Sequence, residues 1–196
     1  MLNIDFGGAK NRNDLSGSWI VMDVAQESEI RYDINSGSRF PISDCAVDNW
    51  YTSHTLEHIP FSMVRNVISE MHRTLKVGGA IRVVVPDFEL ACRLYLSRDT
   101  AIFSGPSVPE WYPNTHLGAL YGWAHTPGKP SKKDPSVVSN GHNSVYDWVT
   151  LESMLNAASF SKVRKCSFSE CSPQFNDKDL LKHRGYSLYV EAIRER

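Results

Sequence analysis

The stretch SHTLEHIP at residues 53–60 holds three side chains that can do chemistry, His54, Glu57 and His58. Their H-x-x-E-H spacing is the pattern with which inverted zinc peptidases bind their metal. A histidine with an unperturbed pKa near neutrality can also act as a general base without any metal. The same three residues therefore fit either a zinc site or a metal-free active-site loop.

The zinc interpretation requires both histidines to lie on one face of a helix. His54 directly follows a predicted strand, and Pro60 disfavours helical geometry at Ile59. No later spacing specifies a third ligand. We therefore predict no metal site and favour a loop at the carboxyl end of a strand, where open α/β folds bind ligands. A zinc hydrolase is kept as the less favoured alternative.

The elements that must position this loop are short strands and one amphipathic helix. A helical stripe of apolar residues runs from Phe61 to Leu75, begun by Pro60 and ended by Gly78-Gly79. The order strand, helix, strand around it predicts an open, mostly parallel α/β sheet. Apolar runs predict its strands at 2–6, 19–23, 29–34, 47–53 and 80–86.

The second half of the chain begins with a predicted helix at 87–98 and continues into a long irregular segment, 99–149. The buried side of the helix is expected to hold Phe88, Leu90, Ala91, Leu94 and Tyr95. A loop as long as 99–149 is usually functional when ordered, so we interpret it as an insertion or lid in a single domain spanning 1–196. Candidates to line an acceptor pocket within it are Trp111, Tyr112, His116, Tyr121, Trp123 and His125.

Regular structure is expected again after the insertion. Thr150 is predicted to cap a third helix, and alternating residues predict strands at 162–168 and 186–194. These two late strands should lie together at one edge of the sheet.

Bulk composition narrows the function. The formal net charge of the 196 residues is -1, and the sequence has no basic stripe, so no nucleic-acid partner is expected. No apolar run has the roughly 20 residues of a membrane helix, and the N-terminus lacks a secretory signal. The four cysteines show no C-x-x-C spacing, which favours reduced thiols and a cytoplasmic location.

The run AVDNWYTSHTLEHIP, continued by MHRTLKVGGAIRVVVPD, resembles class I S-adenosylmethionine-dependent methyltransferases, especially their small bacterial members. LNIDFGG resembles the family's glycine-rich cofactor loop, and WIVMD resembles its second strand, which ends in a ribose-binding acid. The resemblance covers most of 1–98 and 140–193. It implies a Rossmann-like sheet and S-adenosylmethionine as the cofactor.

The resemblance also implies roles for residues. Asp23 would bind the ribose hydroxyls, Asp33 and Ile34 the adenine, and Ser53 and His54 would lie near the sulfonium. His54 is the first candidate for a general base, followed by Glu57, His58 and His142. Asp87, after the fifth strand, is expected to face the same active-site cleft as these candidate bases. The full expected cofactor site comprises Asn3, Asp5, Gly7, Gly8, Asp23, Val24, Asp33, Ile34, Ser53 and His54.

Two departures from the family pattern matter. Asp5 replaces the family's first glycine, and its carboxylate could repel the carboxylate of the cofactor or receive its ammonium group. Ala9 replaces the third glycine. A methyltransferase-like binding module without catalysis is therefore an alternative to an active enzyme with a small-molecule or saccharide acceptor.

The connections between the early strands are also short for parallel crossovers. We predict that helices are missing from one face of the sheet. That face would then be covered by the insertion, 99–149, or by a second chain in a homodimer.

Overall fold

The structure, a computed structural model, describes residues 1–8, 19–25, 27–99 and 142–196. Within them lies one sheet of seven strands in the order β3-β2-β1-β4-β5-β7-β6. The first five strands are parallel, and β7 runs antiparallel to both β5 and β6. The predicted open, mostly parallel α/β sheet is confirmed, with the last two strands at one edge.

The elements follow the order of the sequence predictions. The strands are β1 Asn3–Phe6, β2 Trp19–Asp23, β3 Ile30–Arg31, β4 Val47–Ser53, β5 Leu75–Pro86, β6 Ser161–Cys166 and β7 Ser187–Ile193. The α-helices are α1 Phe61–Thr74, α2 Phe88–Ser97 and α3 Trp148–Ala157. Short 3₁₀ helices lie at Ile34–Ser36, Leu56–His58, Pro173–Phe175 and Leu181–His183.

One face of the sheet packs against α1 and α3 to form the larger apolar core. Strand residues such as Ile4 and Trp50 meet Ile68 and Met71 of α1 and Leu155 of α3 in this core. The α1 stripe is the one predicted from its helical spacing, and burial of such a stripe supplies most of a helix's stability.

The other face of the sheet combines aromatic and polar residues, because side chains of one strand alternate between faces. Its apolar part includes Trp19, Tyr51 and Tyr189, and the loop between β6 and β7 covers it with Phe175. The sequence predicts the insertion or a second chain as the cover. That prediction is wrong for the area that this loop covers. The homodimer was predicted as a possible cover for the same face, and it stays a prediction.

Two consecutive residues of the covering loop hold it to the sheet through buried charges. Lys178 donates a hydrogen bond to Asp5 of β1 at 3.1 Å. Its neighbour Asp179 accepts from Nε of Arg82 on β5 at 2.9 Å, and Arg82 also donates to Glu191 of β7 at 2.8 Å. All five side chains are almost fully removed from solvent. The loop is therefore tied to three strands at once.

Gly78 and Gly79 do not end the α1 unit as predicted. Helix α1 ends at Thr74, and both glycines lie inside β5, where its pairing with β4 shifts register. Gly78 has a φ of 83°, and a Cβ on Gly79 would lie 2.7 Å from the carbonyl oxygen of Asp48. The glycines permit a bulge in the strand.

Two further predictions about helices are wrong. None of the residues of α2 is buried, and Tyr95 is 54% exposed, because this helix leaves the end of β5 without joining either apolar core. The cap of α3 is Asp147, not Thr150: the Asp147 carboxylate accepts a hydrogen bond from the backbone N–H of Thr150 at 2.8 Å. A carboxylate at this position satisfies a helix N–H that has no partner within the helix.

Among the described residues, no helix is both long and apolar enough to cross a membrane. Of the predicted insertion, residues 100–141 lie outside the described residues, and so does Ala9.

Candidate functional site

The carboxyl ends of the three neighbouring strands β1, β2 and β4 lie level with one another. They form what is called here the carboxyl edge of the sheet. Phe6 of β1 pairs with Met22 of β2 on one side and with Thr52 of β4 on the other. The next residues are Gly7, Asp23 and Ser53, which therefore lie side by side at this edge. The register brings together the three segments that the sequence predicts as the cofactor site.

The turn after β1 requires glycine for local reasons. Gly7 has a φ of 73°, which favours glycine, and its N–H donates to the carbonyl of Met22 at 2.9 Å. A Cβ on Gly7 would lie 2.2 Å from Oγ1 of Thr55, and one on Gly8 would lie 2.6 Å from Cγ of Asp5. Two strand ends approach each other closely here, and the turn presents backbone rather than side chains.

Asp23 lies half-buried at the tip of β2, followed by half-buried Val24. One oxygen of its carboxylate accepts a hydrogen bond from the N–H of Ala25 at 3.1 Å. Because a carboxylate has about four acceptor positions, this bond leaves capacity for ligand hydroxyls. Beyond β3, Asp33 is exposed, and Ile34 packs half-buried against the larger core. The binding of a nucleoside by these residues stays a prediction from the resemblance.

Asn3 and Asp5 are buried on the face covered by the β6–β7 loop. The side-chain oxygen of Asn3 accepts from Asn49 at 2.9 Å, and Asp5 is paired with Lys178. Their side chains contact the protein itself. The negative charge of Asp5 is balanced by the ammonium group of Lys178.

The tip of β4 has an unusual backbone. His54 has a φ of 52°, a left-handed conformation that is rare for residues other than glycine and clusters at functional sites. Its N–H donates to the carbonyl of Val84 at 2.9 Å. Before it, the hydroxyl of Ser53 is buried and has no hydrogen-bond partner among the described residues.

The imidazole of His54 is held from three sides. Its Nδ1 lies 3.2 Å from a carboxylate oxygen of Glu57, and its Nε2 lies 2.8 Å from the hydroxyl of Ser187. The ring of His183 stacks on it with centroids 3.7 Å apart. With a carboxylate beside Nδ1 and a hydroxyl at Nε2, the ring is oriented so that Nε2 can act as a general base.

Glu57 is also close to the other two predicted catalytic histidines. One carboxylate oxygen of Glu57 and one ring nitrogen each of His58 and His142 lie within 4.8 Å of one another. The two imidazole rings are 5.1 Å apart between centroids, and Glu57 is 1% exposed. Burial lowers the pKa of His142 to about 4, so its ring is neutral near neutral pH. The four predicted catalytic residues thus form one cluster.

Backbone hydrogen bonds place His142 in this cluster. The N–H groups of Asn143 and Ser144 donate to the carbonyl of Glu57 at 2.7 and 3.2 Å. The side chain of Asn143 donates to the carbonyl of His58 at 2.8 Å, and Tyr146 donates to the carbonyl of Leu56. The end of the insertion is therefore fastened to the turn that carries Glu57 and His58.

A small cleft of about 20 Å³ lies beside the cluster at the carboxyl end of β5. Its lining includes Glu57 and His142 of the cluster and Asp87 and Phe88 from the end of β5 and the start of α2. Asp87 lines the cleft as predicted, and its carboxylate also caps α2 by accepting from the N–H of Leu90 at 3.1 Å. The sheet edge thus has the predicted cofactor segments at β1 and β2, His54 at β4 and a cleft at β5.

Comparison with known proteins supplies the fold. No model of a known protein family matches the chain, and no curated protein matches it. Among solved structures, S-adenosylmethionine-dependent methyltransferases from Archaeoglobus fulgidus and Aquifex aeolicus superpose with TM-scores of 0.56 and 0.53 at 14% and 13% sequence identity. They are covered over 85% and 82% of their lengths, by 98% and 99% of this chain.

A further methyltransferase of this kind, from Thermotoga maritima, superposes with a TM-score of 0.57 at 12% identity, over 98% of this chain and 81% of that one. The chain has the class I S-adenosylmethionine-dependent methyltransferase fold. Within this methyltransferase fold, the connection between the parallel strands β2 and β3 is short, because only residues 24–29 separate them.

The sequence predictions did not include the residues that β7 and the segment before it contribute to the candidate site. His183, Tyr186 and Ser187 surround His54, because the antiparallel β7 begins at the sheet edge where the parallel strands end. The signal was available as the polar stretch HRGYS before the final apolar strand. It becomes informative only once the direction of that strand is known.

The aromatic and histidine residues predicted to line an acceptor pocket lie outside the described residues, namely Trp111, Tyr112, His116, Tyr121, Trp123 and His125. Their role in the methyltransferase fold stays a prediction.

Proposed function

We propose that this chain is a methyltransferase that uses S-adenosylmethionine and methylates an oxygen or nitrogen of a small-molecule or saccharide acceptor. The observation that carries the proposal is the position of His54. Its strand, β4, lies between β1, whose glycine turn begins the predicted cofactor site, and β5, whose end borders the cleft. A base at that point lies where a methyl donor and an acceptor would meet.

The proposed cofactor site uses backbone at the glycine turn and side chains at the tips of the next strands. Gly7 and Gly8 let the main chain approach the ligand closely. Asp23 would accept hydrogen bonds from the ribose hydroxyls, and Ile34 would pack against the adenine. Ser53, whose buried hydroxyl has no hydrogen-bond partner among the described residues, would meet the part of the cofactor near the sulfonium.

In the proposed reaction, the acceptor atom attacks the methyl carbon in line with the carbon–sulfur bond. Bound S-adenosylmethionine would supply the methyl group: the bond to oxygen or nitrogen would form as the carbon–sulfur bond breaks, and the sulfur would be left as a neutral thioether. The acceptor's proton passes to Nε2 of His54, either directly or through the hydroxyl of Ser187. Glu57 then stabilises the imidazolium ion through Nδ1. Positioning supplies most of the remaining rate enhancement.

Binding of S-adenosylmethionine to the purified chain, measured by calorimetric titration, tests the cofactor directly. Asp23→Ala should abolish saturable binding. Glu195→Gln is the matched control because it removes an exposed carboxylate beyond the end of β7, at the opposite edge of the sheet. Binding lost in both variants, or in neither, would contradict the proposed site.

A zinc peptidase is not supported by the geometry of the H-x-x-E-H stretch. Its two histidines would need to share a helical face, but His54 has a positive φ and only the short 3₁₀ helix Leu56–His58 follows. The inactive-module alternative rested on the charge of Asp5, which is paired with Lys178. That pairing favours the active enzyme.

A further inference from the structure

Two segments far apart in the sequence place one carboxylate and two imidazoles around a common point. Glu57 and His58 come from the turn after β4, and His142 comes from the end of the insertion. One potential ligand atom from each lies within 4.8 Å of the other two. The hydrogen bonds of Asn143 and Ser144 to this turn hold the two segments together.

The carboxylate of Glu57 lacks the hydrogen bonds that such a buried group needs. Glu57 is 1% exposed, and neither of its oxygens accepts a hydrogen bond within the described part of the chain. Nδ1 of His54 lies 3.2 Å from one of its oxygens. A buried carboxylate is costly unless it is paired or coordinates a metal. This one is therefore an independent sign of a missing cation.

We propose that Glu57, His58 and His142 bind one Zn²⁺ ion. Two imidazoles and a carboxylate are one of the three-ligand sets found in catalytic zinc sites, which leave a fourth position open. Mg²⁺ and Ca²⁺ prefer all-oxygen sites and fit this set poorly. With Zn–N bonds of about 2.0–2.1 Å, tetrahedral ligand atoms lie about 3.3 Å apart, so the three groups need to close in by at most about 1.5 Å.

The surroundings suit such an ion. Carboxylate ligands of metals are normally hydrogen-bonded in turn, and His54 lies against one oxygen of Glu57, which leaves the other for the ion. Glu57 and His142 also line the cleft at the end of β5, so the open position of the ion can be reached by a molecule bound there. Zinc binding at this site goes beyond the proposed methyl transfer and does not require it.

The ligand set differs from that of the H-x-x-E-H peptidases. There, both histidines of the motif bind the metal and the glutamate acts on water. Here His54 is engaged with Ser187 and Glu57, and the glutamate itself becomes a ligand together with His142 from outside the motif.

Titration of the chelator-treated, folded chain with Zn²⁺ tests the site. We expect one equivalent to bind saturably, and Co²⁺ in its place to give a visible spectrum of a nitrogen- and oxygen-ligated ion. Glu57→Gln and His142→Asn should each weaken Zn²⁺ binding by at least about tenfold. His72→Asn, which changes a histidine of α1 away from the cluster, should retain wild-type binding.

Circular dichroism of each variant establishes that the fold is retained, and the wild-type titration alone decides the case if Glu57→Gln does not fold. The proposal is overturned if the wild-type chain binds no stoichiometric Zn²⁺, or if one equivalent still binds with unchanged affinity to folded His142→Asn. Binding of S-adenosylmethionine is measured on the same samples with and without zinc. Failure of the cofactor to bind would then count against the proposed methyltransferase and leave the zinc site standing.

Discussion

The ammonium group of Lys178 lies 3.1 Å from a carboxylate oxygen of Asp5, and both side chains are buried. The rings of Trp19 and Tyr51 flank the ammonium at 4.8 and 5.0 Å, and the hydroxyl of Tyr51 donates to the backbone carbonyl of Lys178. Asp5 stands where the resembling family has its first glycine. The aspartate at this position therefore serves to hold the β6–β7 loop, through Lys178, against this face of the sheet.

Lys178→Met should destabilise the fold strongly, because it leaves the buried carboxylate of Asp5 without its ammonium partner. Removing one member of a buried ion pair typically costs about 3–5 kcal/mol of unfolding free energy. Urea denaturation followed by circular dichroism measures the loss.

The double variant Asp5→Asn with Lys178→Met should recover much of that stability, since no buried charge remains. Lys76→Met is the surface control: it breaks an exposed pair with Asp48 and should cost less than about 1 kcal/mol. A Lys178→Met protein as stable as wild type would show that the pair contributes nothing.

His54→Ala should lower kcat for methyl transfer by about 10²–10⁴-fold, the usual contribution of a general base. The assay screens sugars and small metabolites with isotopically labelled S-adenosylmethionine, and calorimetry reports cofactor binding of the same variant. Ser187→Ala, which removes only the hydroxyl at Nε2, should have the smaller effect. Full activity of His54→Ala on an identified acceptor would assign the base elsewhere.

Acid should weaken the contact between α1 and the segment before β4. The guanidinium of Arg73, by donating to it, and the N–H of Phe40 hold the pKa of Glu70 below its ordinary value of 4.5. Because the folded-state pKa is lower than the unfolded one, the stabilisation is complete above pH 4.5 and is lost as pH falls through the folded value.

Urea unfolding over this acid range gives the dependence. In Glu70→Gln, whose amide does not ionise, stability at neutral pH should drop by about 1–2 kcal/mol and the slope against pH should flatten. A slope equal to that of wild type would locate the acid sensitivity in other carboxylates.

The cap of α3 offers a test of a local correction. Asp147→Ala should cost about 1 kcal/mol because the N–H of Thr150 loses its acceptor. Asp147→Asn keeps an acceptor oxygen and should remain close to wild type. Thermal unfolding distinguishes them, and equal melting temperatures for all three proteins would contradict the cap.

Much of the fold was predictable because its signals are local. The α1 stripe from Phe61 follows from helical spacing, and the apolar runs at 19–23 and 47–53 give β2 and β4 directly. The edge where Gly7 and Asp23 meet follows from the rule that parallel strands end together.

The rest depended on contacts between distant segments, which spacing does not encode. The burial of Asp5 is decided by Lys178, and the approach of His142 to Glu57 is decided by hydrogen bonds across the insertion. The exposure of Tyr95 likewise depends on where α2 leaves the sheet rather than on its apolar spacing. Tertiary context overrides local pattern at each of these positions.

The loop that covers the second sheet face also sets an order of events during synthesis. Asp5 and Lys178 are 173 positions apart, so β1 leaves the ribosome long before the residue that neutralises it. At about 5–20 residues per second, that interval is roughly 10–30 s. Arg82 is likewise made long before its partners Asp179 and Glu191. This face of the sheet therefore cannot close before the β6–β7 region has been made, and contacts so distant in the sequence are expected to slow folding.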